Sequence, residues 1–417
     1  MVVPLLKIFC VVKRKENELN SLRLSATALQ DWEECKTRFL YRYIYGLRPD
    51  EEKDSQRIGT AWHGCHEIIR MVPQSKCPKC CKRGELRDDC YLCDGTGILP
   101  ADLMDAVTRY INHIYAEVPD SKTADEWETE RIRVLYSFIG YRWYYGDGEF
   151  DNAASEVWFD NQIVNPRSKR EMTSAHIVGK VDHILQHRET GLYYIGERKS
   201  TSKSLDDASY WGRLELDVQV TTYLYELRIA QLLGKLQCYG IKPDDPLIHG
   251  IWYDVWHKPD IKPKALSQKD TAAFIETGEY CGERFEVIRN PDNEEVGEKR
   301  IMVIVNGVDS LVIPGKRGFA IHETPEMYGA RLMADIAERP EHYFAQREIP
   351  RSDEQLEEFE TDLYRIAQAA KSFRRNDLWT KNCRSCESPF WCDFRNICYN
   401  HIGVGPNDVP DGFKKGR

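Results

Sequence analysis

An α/β fold is expected for this chain, on three observations near its middle. Val178–Leu185 alternates apolar and polar residues as a half-buried strand does. After a turn at His187–Gly191, the run Leu192–Ile195 is aromatic and β-branched, which suits a second strand. Asp217–Leu233 then reads as a helix closed by Gly234, and Leu247–Trp256 as a further buried strand.

The bulk numbers bound the rest. A length of 417 residues fits roughly three domains or one elaborated domain. With 41% hydrophobic and 30% charged residues the chain can bury a sizeable core. A net charge of −9 does not favour nucleic acid, but a local basic groove matters more than the sum. The 14 cysteines cluster in C-x-x-C pairs, which points to metal ligands in a reducing, intracellular compartment rather than to disulfides. No apolar run reaches membrane length. The opening MVVPLLKIFCVV lacks a basic leader and a cleavage site, so no signal peptide is expected. No G-x-x-x-x-G-K-[ST] is present, so the chain carries no phosphate-cradling motor of its own.

The expected divisions are an N-terminal segment 1–24, a helical part 25–72, a cysteine-bearing insertion 73–99, helices and the main sheet 100–256, a mixed insertion 257–324 without assignable chemistry, C-terminal helices 325–400 and a polar tail 401–417. Residues 13–22 read as a linker. Ser25 caps a helix over Ala26–Tyr45 that carries Cys35. A second helix covers Thr60–Met71 and carries His63 and His66. Asp102–Ala116 and Ala124–Tyr145 are helical, with Trp127, Ile132, Leu135, Phe138 and Trp143 mostly in the core. Glu156 opens a strand and is either a carboxylate that leans on a metal site or an edge-strand acid. Beyond 257, Asn290–Asn293 is a turn, Arg300–Val305 a strand, and Glu326–Ala337 and Ser352–Phe373 helices. Lys371, Arg374 and Arg375 meet phosphate or form a solvated helix end.

Two sets of residues carry chemistry. Cys77-x-x-Cys80 and Cys90-x-x-Cys93 are separated by nine residues, the spacing of a structural zinc site with no open position; Cys81 is spare. Glu197 and Lys199, two apart, share a strand face, and Asp182 joins them if the strands pair as a hairpin. Two acids and a lysine suit a hard divalent cation and the water it activates. The alternative is a surface hairpin with a solvated ion pair.

An Asp followed by Glu-x-Lys on the next strand resembles the PD-(D/E)XK nuclease superfamily. Gly59-x-x-x-His63 resembles the motif that brings a histidine to the metal in its RecB-type members, and Gln219-x-x-x-Tyr223 the motif that places nucleic acid or the acids. Cys383-x2-Cys386-x5-Cys392 resembles the segment that follows the nuclease core in AddB-type subunits and CRISPR-associated exonucleases. There, a fourth cysteine comes from far upstream, at the position of Cys35 here. Lys36 replaces the usual proline after it. Cys398 is a rival fourth ligand, and zinc is the alternative metal. The second C-x-x-C pair of the insertion resembles the knuckle of chaperone J-protein zinc modules, from which only the metal chemistry carries over.

The resemblance implies a restriction-endonuclease-like mixed central sheet flanked by helices, with an inserted zinc knuckle and a C-terminal helical region stapled by a [4Fe-4S] cluster. It implies Mg²⁺ or Mn²⁺ held by Asp182, Glu197, His63 and the carbonyl of Arg198. Lys199 then orients or helps deprotonate the attacking water, and Gln219 and Tyr223 fix the strand. The expected activity is an exonuclease acting on DNA ends or single strands in repair, recombination or processing. Three rivals stand beside it: a nuclease subunit that needs a helicase or integrase partner, a non-catalytic DNA-binding metalloprotein, and a sequence-specific endonuclease.

Overall fold

The strand pair expected at the centre is present and longer than its pattern suggests. It forms the middle of a sheet that draws strands from across the chain. In a computed structural model, the structure describes residues 21–50, 54–81, 87–146, 148–290, 301–315, 318–387 and 391–416. The expectations for residues 1–20 and for the turn at 291–293 lie outside them.

The first part of the chain contains β1 (Leu22–Leu24), α1 (Ala26–Glu34), α2 (Lys36–Phe39), β2 (Leu47–Pro49), α3 (Asp54–Ile69), α4 (Pro78–Cys81), α5 (Leu103–Ile114) and α6 (Ala124–Tyr145). The centre follows as β3 (Phe150–Val164), β4 (Glu171–His187), β5 (Tyr193–Thr201), α7 (Ala208–Gly212), α8 (Val218–Leu232) and β6 (Gly250–His257). Next come α9 (Gln268–Thr277), β7 (Glu279–Tyr280), β8 (Glu283–Arg284), β9 (Val287–Asn290), β10 (Met302–Val305), β11 (Val308–Ser310), β12 (Val312–Pro314) and β13 (Phe319–Ile321). The last part holds α10 (Pro325–Glu338), α11 (Pro340–Tyr343), β14 (Phe344–Ile349), α12 (Asp353–Asn376), α13 (Arg395–Tyr399) and β15 (Phe413–Lys415).

The central sheet is mixed, in the order β1-β4-β5-β6-β14, with β3 also paired to β4. β1 and β4 run parallel, as do β5 and β6; β3 with β4, β4 with β5 and β6 with β14 are antiparallel. Alternation sends Ile251, Tyr253 and Val255 of β6 to one face, where they pack with residues of α1, α8 and α12. Trp256 lies on the other face, among residues of α3, α5 and α6. Caps explain several helix starts. The Asp217 side chain accepts from Val220 N at α8, and Thr123 with Glu126 forms a reciprocal capping box at α6.

Several expectations are corrected here. The helix over 26–45 is not continuous. Cys35 is extended, at φ −162° and ψ 116°, and separates α1 from α2, after which Leu40–Ile44 winds as a π-helix. The cause is tertiary: the Glu34 carbonyl accepts from Asn382 Nδ2 (2.7 Å) and Ser385 Oγ (2.9 Å), so a distant segment interrupts the ladder there. Leu22 belongs to a strand, not to a linker. Trp143 is 57% exposed and lies outside the core. The part expected as C-terminal helices supplies β14, an edge strand of the main sheet. Residues 257–324 build a small core of their own around Phe274, Val303 and Ile321, which reaches Met327 and Ala330 of α10. The expected polar tail returns to the body, where β15 pairs with β2. Among the described residues no helix is long and apolar enough to cross a membrane.

Candidate active site and cysteine centres

The acids sit where two strands part. The β4–β5 ladder covers only His183–Gln186 of β4 and ends at the pair His183–Gly196. The β1 ladder takes over the same edge of β4 at Ala175–Ile177. Asp182 and Glu197 are the first residues past the fork, so neither is paired across the β4–β5 gap, although Glu197 keeps Tyr253 of β6 as its neighbour on the other side. Helix α3 brings His63 to this opening, with Nδ1 3.1 Å from Asp182 Oδ2.

On β5, Glu197 and Lys199 do share a face, with Lys199 Nζ 2.5 Å from Glu197 Oε1. Helix α8 covers them with Gln219 and Tyr223, one turn apart. Gln219 Oε1 accepts from Lys199 Nζ at 3.0 Å, and Gln219 Nε2 donates to Glu197 Oε1 at 3.1 Å and to Tyr223 Oη at 3.0 Å. Thus the structure brings together His63 with Asp182, and Glu197 with Lys199, Gln219 and Tyr223. Arg198 lies between Glu197 and Lys199, and its side chain turns to the opposite face.

The charges reinforce one another. Burial alone would raise the Asp182 carboxyl, but His63, Lys199 and Arg198 hold it below the usual range. Burial raises the Glu197 carboxyl, Asp182 adds to that rise, and Lys199 opposes it. Desolvation works against the Lys199 ammonium, yet Glu197 holds its pKa well above the ordinary value, so Lys199 is a cation at neutral pH. Two carboxylates that repel each other across a fork, with an imidazole beside them, form a donor set suited to a hard divalent cation. The set is open rather than closed: His63 and Asp182 touch, while Glu197 is engaged by Lys199.

Other candidates are engaged by other partners. His66 is 2% exposed and packs edge-on to Trp62, Phe138 and Tyr141, away from the acids. Glu156 takes a positive φ of 53°, and its carboxylate pairs with Lys180 at 2.5 Å. Lys371 Nζ donates to Ser174 Oγ at 3.1 Å. Sequence reasoning missed Glu67, one helical turn beyond His63. Burial, with Glu156 and Asp182 nearby, raises its carboxyl despite Lys180 and His63. The i, i+4 spacing from His63 was the available signal.

The four cysteines of the insertion converge. Cys77, Cys80, Cys90 and Cys93 are buried, and their sulfurs all lie within 4.8 Å of one another, a group that could hold a metal ion. It is the one group of three or more such donors meeting that limit among the described residues. The Cys77–Cys90 sulfurs are 3.8 Å apart and the Cys80–Cys93 sulfurs 3.6 Å. Gly95 and Gly97, at φ 76° and 75°, permit the second turn. Burial opposes ionisation of Cys90, yet the N–H groups of Cys93 and Leu92 and the neighbouring thiols bring its pKa down to about 7. Arg109 of α5 ties the knuckle down through the carbonyls of Tyr91 and Leu92.

The other cysteines meet more loosely. The break at Cys35 is clasped to the segment after α12, where Thr37 N also donates to the Thr380 carbonyl at 3.1 Å. Burial raises the Cys392 thiol, Arg38 lowers it, and Cys35 and Cys386 raise it further. Burial also raises Cys398, Lys381 opposes, and Cys35, Cys392 and Cys386 add to the rise. Cys398 is therefore within electrostatic reach of the same thiols, while Cys383 is exposed.

No curated protein sequence matches the chain. A family model does, over residues 23–398, a span that runs from β1 to α13 and takes in the fork, the knuckle and both cysteine segments. With that span and this sheet, the chain belongs to the PD-(D/E)XK nuclease superfamily, a family of metal-dependent nucleases.

Proposed function

We propose that the chain is a Mg²⁺- or Mn²⁺-dependent deoxyribonuclease that works on DNA ends or single strands. The observation that carries this reading is the fork, where Asp182, Glu197, Lys199, His63 and Gln219 face one opening. Asp182, Glu197 and His63 would hold the cation, with the Arg198 carbonyl completing the set. When bound, the cation would lower the pKa of a coordinated water and offset charge on the phosphate.

The chain's own groups do the rest. Lys199, kept as an ammonium by Glu197, orients the water and offsets negative charge developing on the phosphate. Gln219 holds Lys199 and Glu197 in mutual register, and Tyr223 holds Gln219. Trp158, 73% exposed, sits opposite Lys180 on the neighbouring strand, with the Lys180 ammonium 5.8 Å from its ring centroid. Lys180 is two residues before Asp182 and shares its face. An exposed indole beside a lysine is a stacking platform for an unpaired base, which favours single strands and frayed ends.

Zinc is the reading for the four-cysteine group. With bonds of about 2.3 Å, a tetrahedral zinc sets its thiolates about 3.8 Å apart. The observed sulfur separations of 3.8 and 3.6 Å match that edge. Its place between α3 and α5 makes it a brace for the helix that carries His63. A [4Fe-4S] cluster on Cys35, Cys383, Cys386 and Cys392 would join the chain's early helices to its last segment, along the clasp at Glu34. A cubane sets each thiolate on a separate iron, so its ligands stand farther apart than those of a single ion.

Digestion of end-labelled single- and double-stranded DNA, with closed circles as control, tests the activity. Cleavage of linear DNA should need Mg²⁺ or Mn²⁺ and vanish in Asp182→Ala and Lys199→Ala. Activity retained in either variant, or cleavage of circles alone, refutes the reading.

A further inference from the structure

Behind the sheet, on the face opposite Glu197 and Lys199, α3 and α6 cover a cavity of about 270 Å³. Arg198 of β5 and Asp254 of β6 line its floor, and His66 and Arg70 reach it from α3. Its charges do not balance. Arg198 is 2% exposed, and its Nε and Nη1 have no hydrogen-bond partner among the described residues. Its nearest carboxylate, Asp254 Oδ2, is 3.7 Å from Nε, too far for a hydrogen bond. That same oxygen already accepts from Tyr141 Oη at 2.5 Å. Arg70 Nη1 and His66 Nε2 are buried and unpartnered as well.

The remaining acids on the wall are engaged elsewhere. Asp151 pairs with Arg188 at 2.8 Å, Glu149 is 73% exposed beside His187, and Glu197 turns to Lys199. Burial, with Arg198 nearby, brings Arg70 down to about 9, which still leaves it charged at neutral pH. Two interior guanidiniums thus share one carboxylate. Native proteins pair buried charges and satisfy buried donors. A cavity that leaves both conditions unmet on one wall has room for the missing partner.

We propose that this cavity binds a small phosphate-bearing anion, either inorganic phosphate or the phosphate of a mononucleotide, through the side chains of Arg198 and Arg70. The Nε and Nη1 groups of Arg198 lie on different edges of the guanidinium, and each is a charged donor left free for an oxyanion oxygen. Phe150 and Trp252, with ring centroids 4.8 Å apart, line the same cavity and give a nucleobase an apolar wall. Arg198 is the residue between Glu197 and Lys199, so the anion would grip the active-site strand from behind.

Calorimetric titration of the full chain, in buffer free of Mg²⁺ and Mn²⁺, tests this with inorganic phosphate and with deoxyadenosine monophosphate. One anion should bind per chain; the nucleotide binding tighter than phosphate identifies the larger ligand, and equal binding identifies the free ion. Arg70→Gln should weaken binding at least tenfold. Asp182→Asn, which disables the front of the sheet, should leave it unchanged, and this arm keeps the result separate from the nuclease reading. No uptake by the unaltered chain would mean a cavity filled with water and would overturn the proposal. Undiminished binding in Arg70→Gln, or loss in Asp182→Asn, would also overturn it. Should Arg70→Gln fail to fold, a tungstate soak of crystals of the unaltered chain decides. Anomalous density against the Arg198 guanidinium supports the site, and its absence there refutes it.

Discussion

Replacing Lys199 with Met isolates what the lysine does for Glu197. The Glu197 side chain is 4% exposed and would lose an ammonium at 2.5 Å, keeping only the Gln219 amide at 3.1 Å. Removing one partner of a fully buried ion pair costs about 3–5 kcal/mol. The Lys199 side chain is 36% exposed, so water already screens the pair, and a loss of about 2 kcal/mol is expected. Glu197→Gln should cost about 1 kcal/mol, since the freed ammonium can reach solvent. The double variant should cost hardly more than Glu197→Gln, a coupling of about 2 kcal/mol.

The pH dependence follows with a definite sign. Glu197 already has a raised carboxyl pKa, and losing Lys199 raises it further. A group whose folded pKa lies above its unfolded value loses stability as pH rises, so Lys199→Met should suffer more at pH 8 than at pH 5. Urea denaturation of the four proteins at both pH values measures this. Additive costs, or equal losses at both pH values, refute the linkage between the two side chains. All three variants should cleave DNA at least about a hundredfold more slowly, the usual effect of deleting one charge-stabilising group. Stability recovered without activity would separate support from chemistry.

Three further outcomes are expected. Glu226 is 1% exposed and accepts from Asn161 Nδ2 at 2.6 Å; burial raises its carboxyl to about 7, against Asn161 and Lys235. Stability should therefore fall between about pH 4.5 and pH 7 and level off above. Glu226→Gln should gain about 3 kcal/mol at pH 8 and little at pH 4.5, at 1.36 kcal/mol per pH unit; chemical denaturation with no gain at pH 8 contradicts this. Cys90→Ser should lose one zinc per chain by atomic emission and lower the melting temperature, whereas a full zinc complement in the variant rules out the four-thiolate site. Purified without oxygen, the chain should be brown with about four irons. Cys35→Ser and Cys383→Ser should lose the colour and Cys398→Ser keep it; the reverse result for Cys383 and Cys398 would exchange the fourth ligand.

What could be read in advance followed local physics. The strand pair, α6 and α8 were legible because alternation, caps and a closing glycine are written in adjacent residues. Glu197 with Lys199, and Gln219 with Tyr223, were legible as pairs because their spacing puts each pair on one face; that the pairs belong with Asp182 came from the family resemblance and not from spacing. The fork between β4 and β5 was not, since it depends on β1 and β5 sharing one edge of β4. Residues Phe344–Ile349 join the main sheet through pairing with β6, and nothing nearby marks them as its edge. Glu67 was overlooked because an acid on an exposed helix face looks like solubility until two neighbouring strands each bring an acid to it. Arg198 was legible only as a spacer in Glu-x-Lys, and its buried, unpaired donors appear only when α3 and α6 are in place.

The interrupted helix at Cys35 has a consequence for how the protein is born. Local propensity favours an unbroken helix there, and the break is imposed by Asn382 and Ser385. A ribosome adding about 5–20 residues per second makes Glu34 roughly 20 to 70 seconds before those two side chains exist. Throughout that interval the nascent chain has no reason to bend at Cys35, and its thiol has no distant companions. The cluster proposed for Cys35 would therefore have to be inserted after residues 382–392 are made, and a stalled chain would hold an assembled cleft on an unfastened frame.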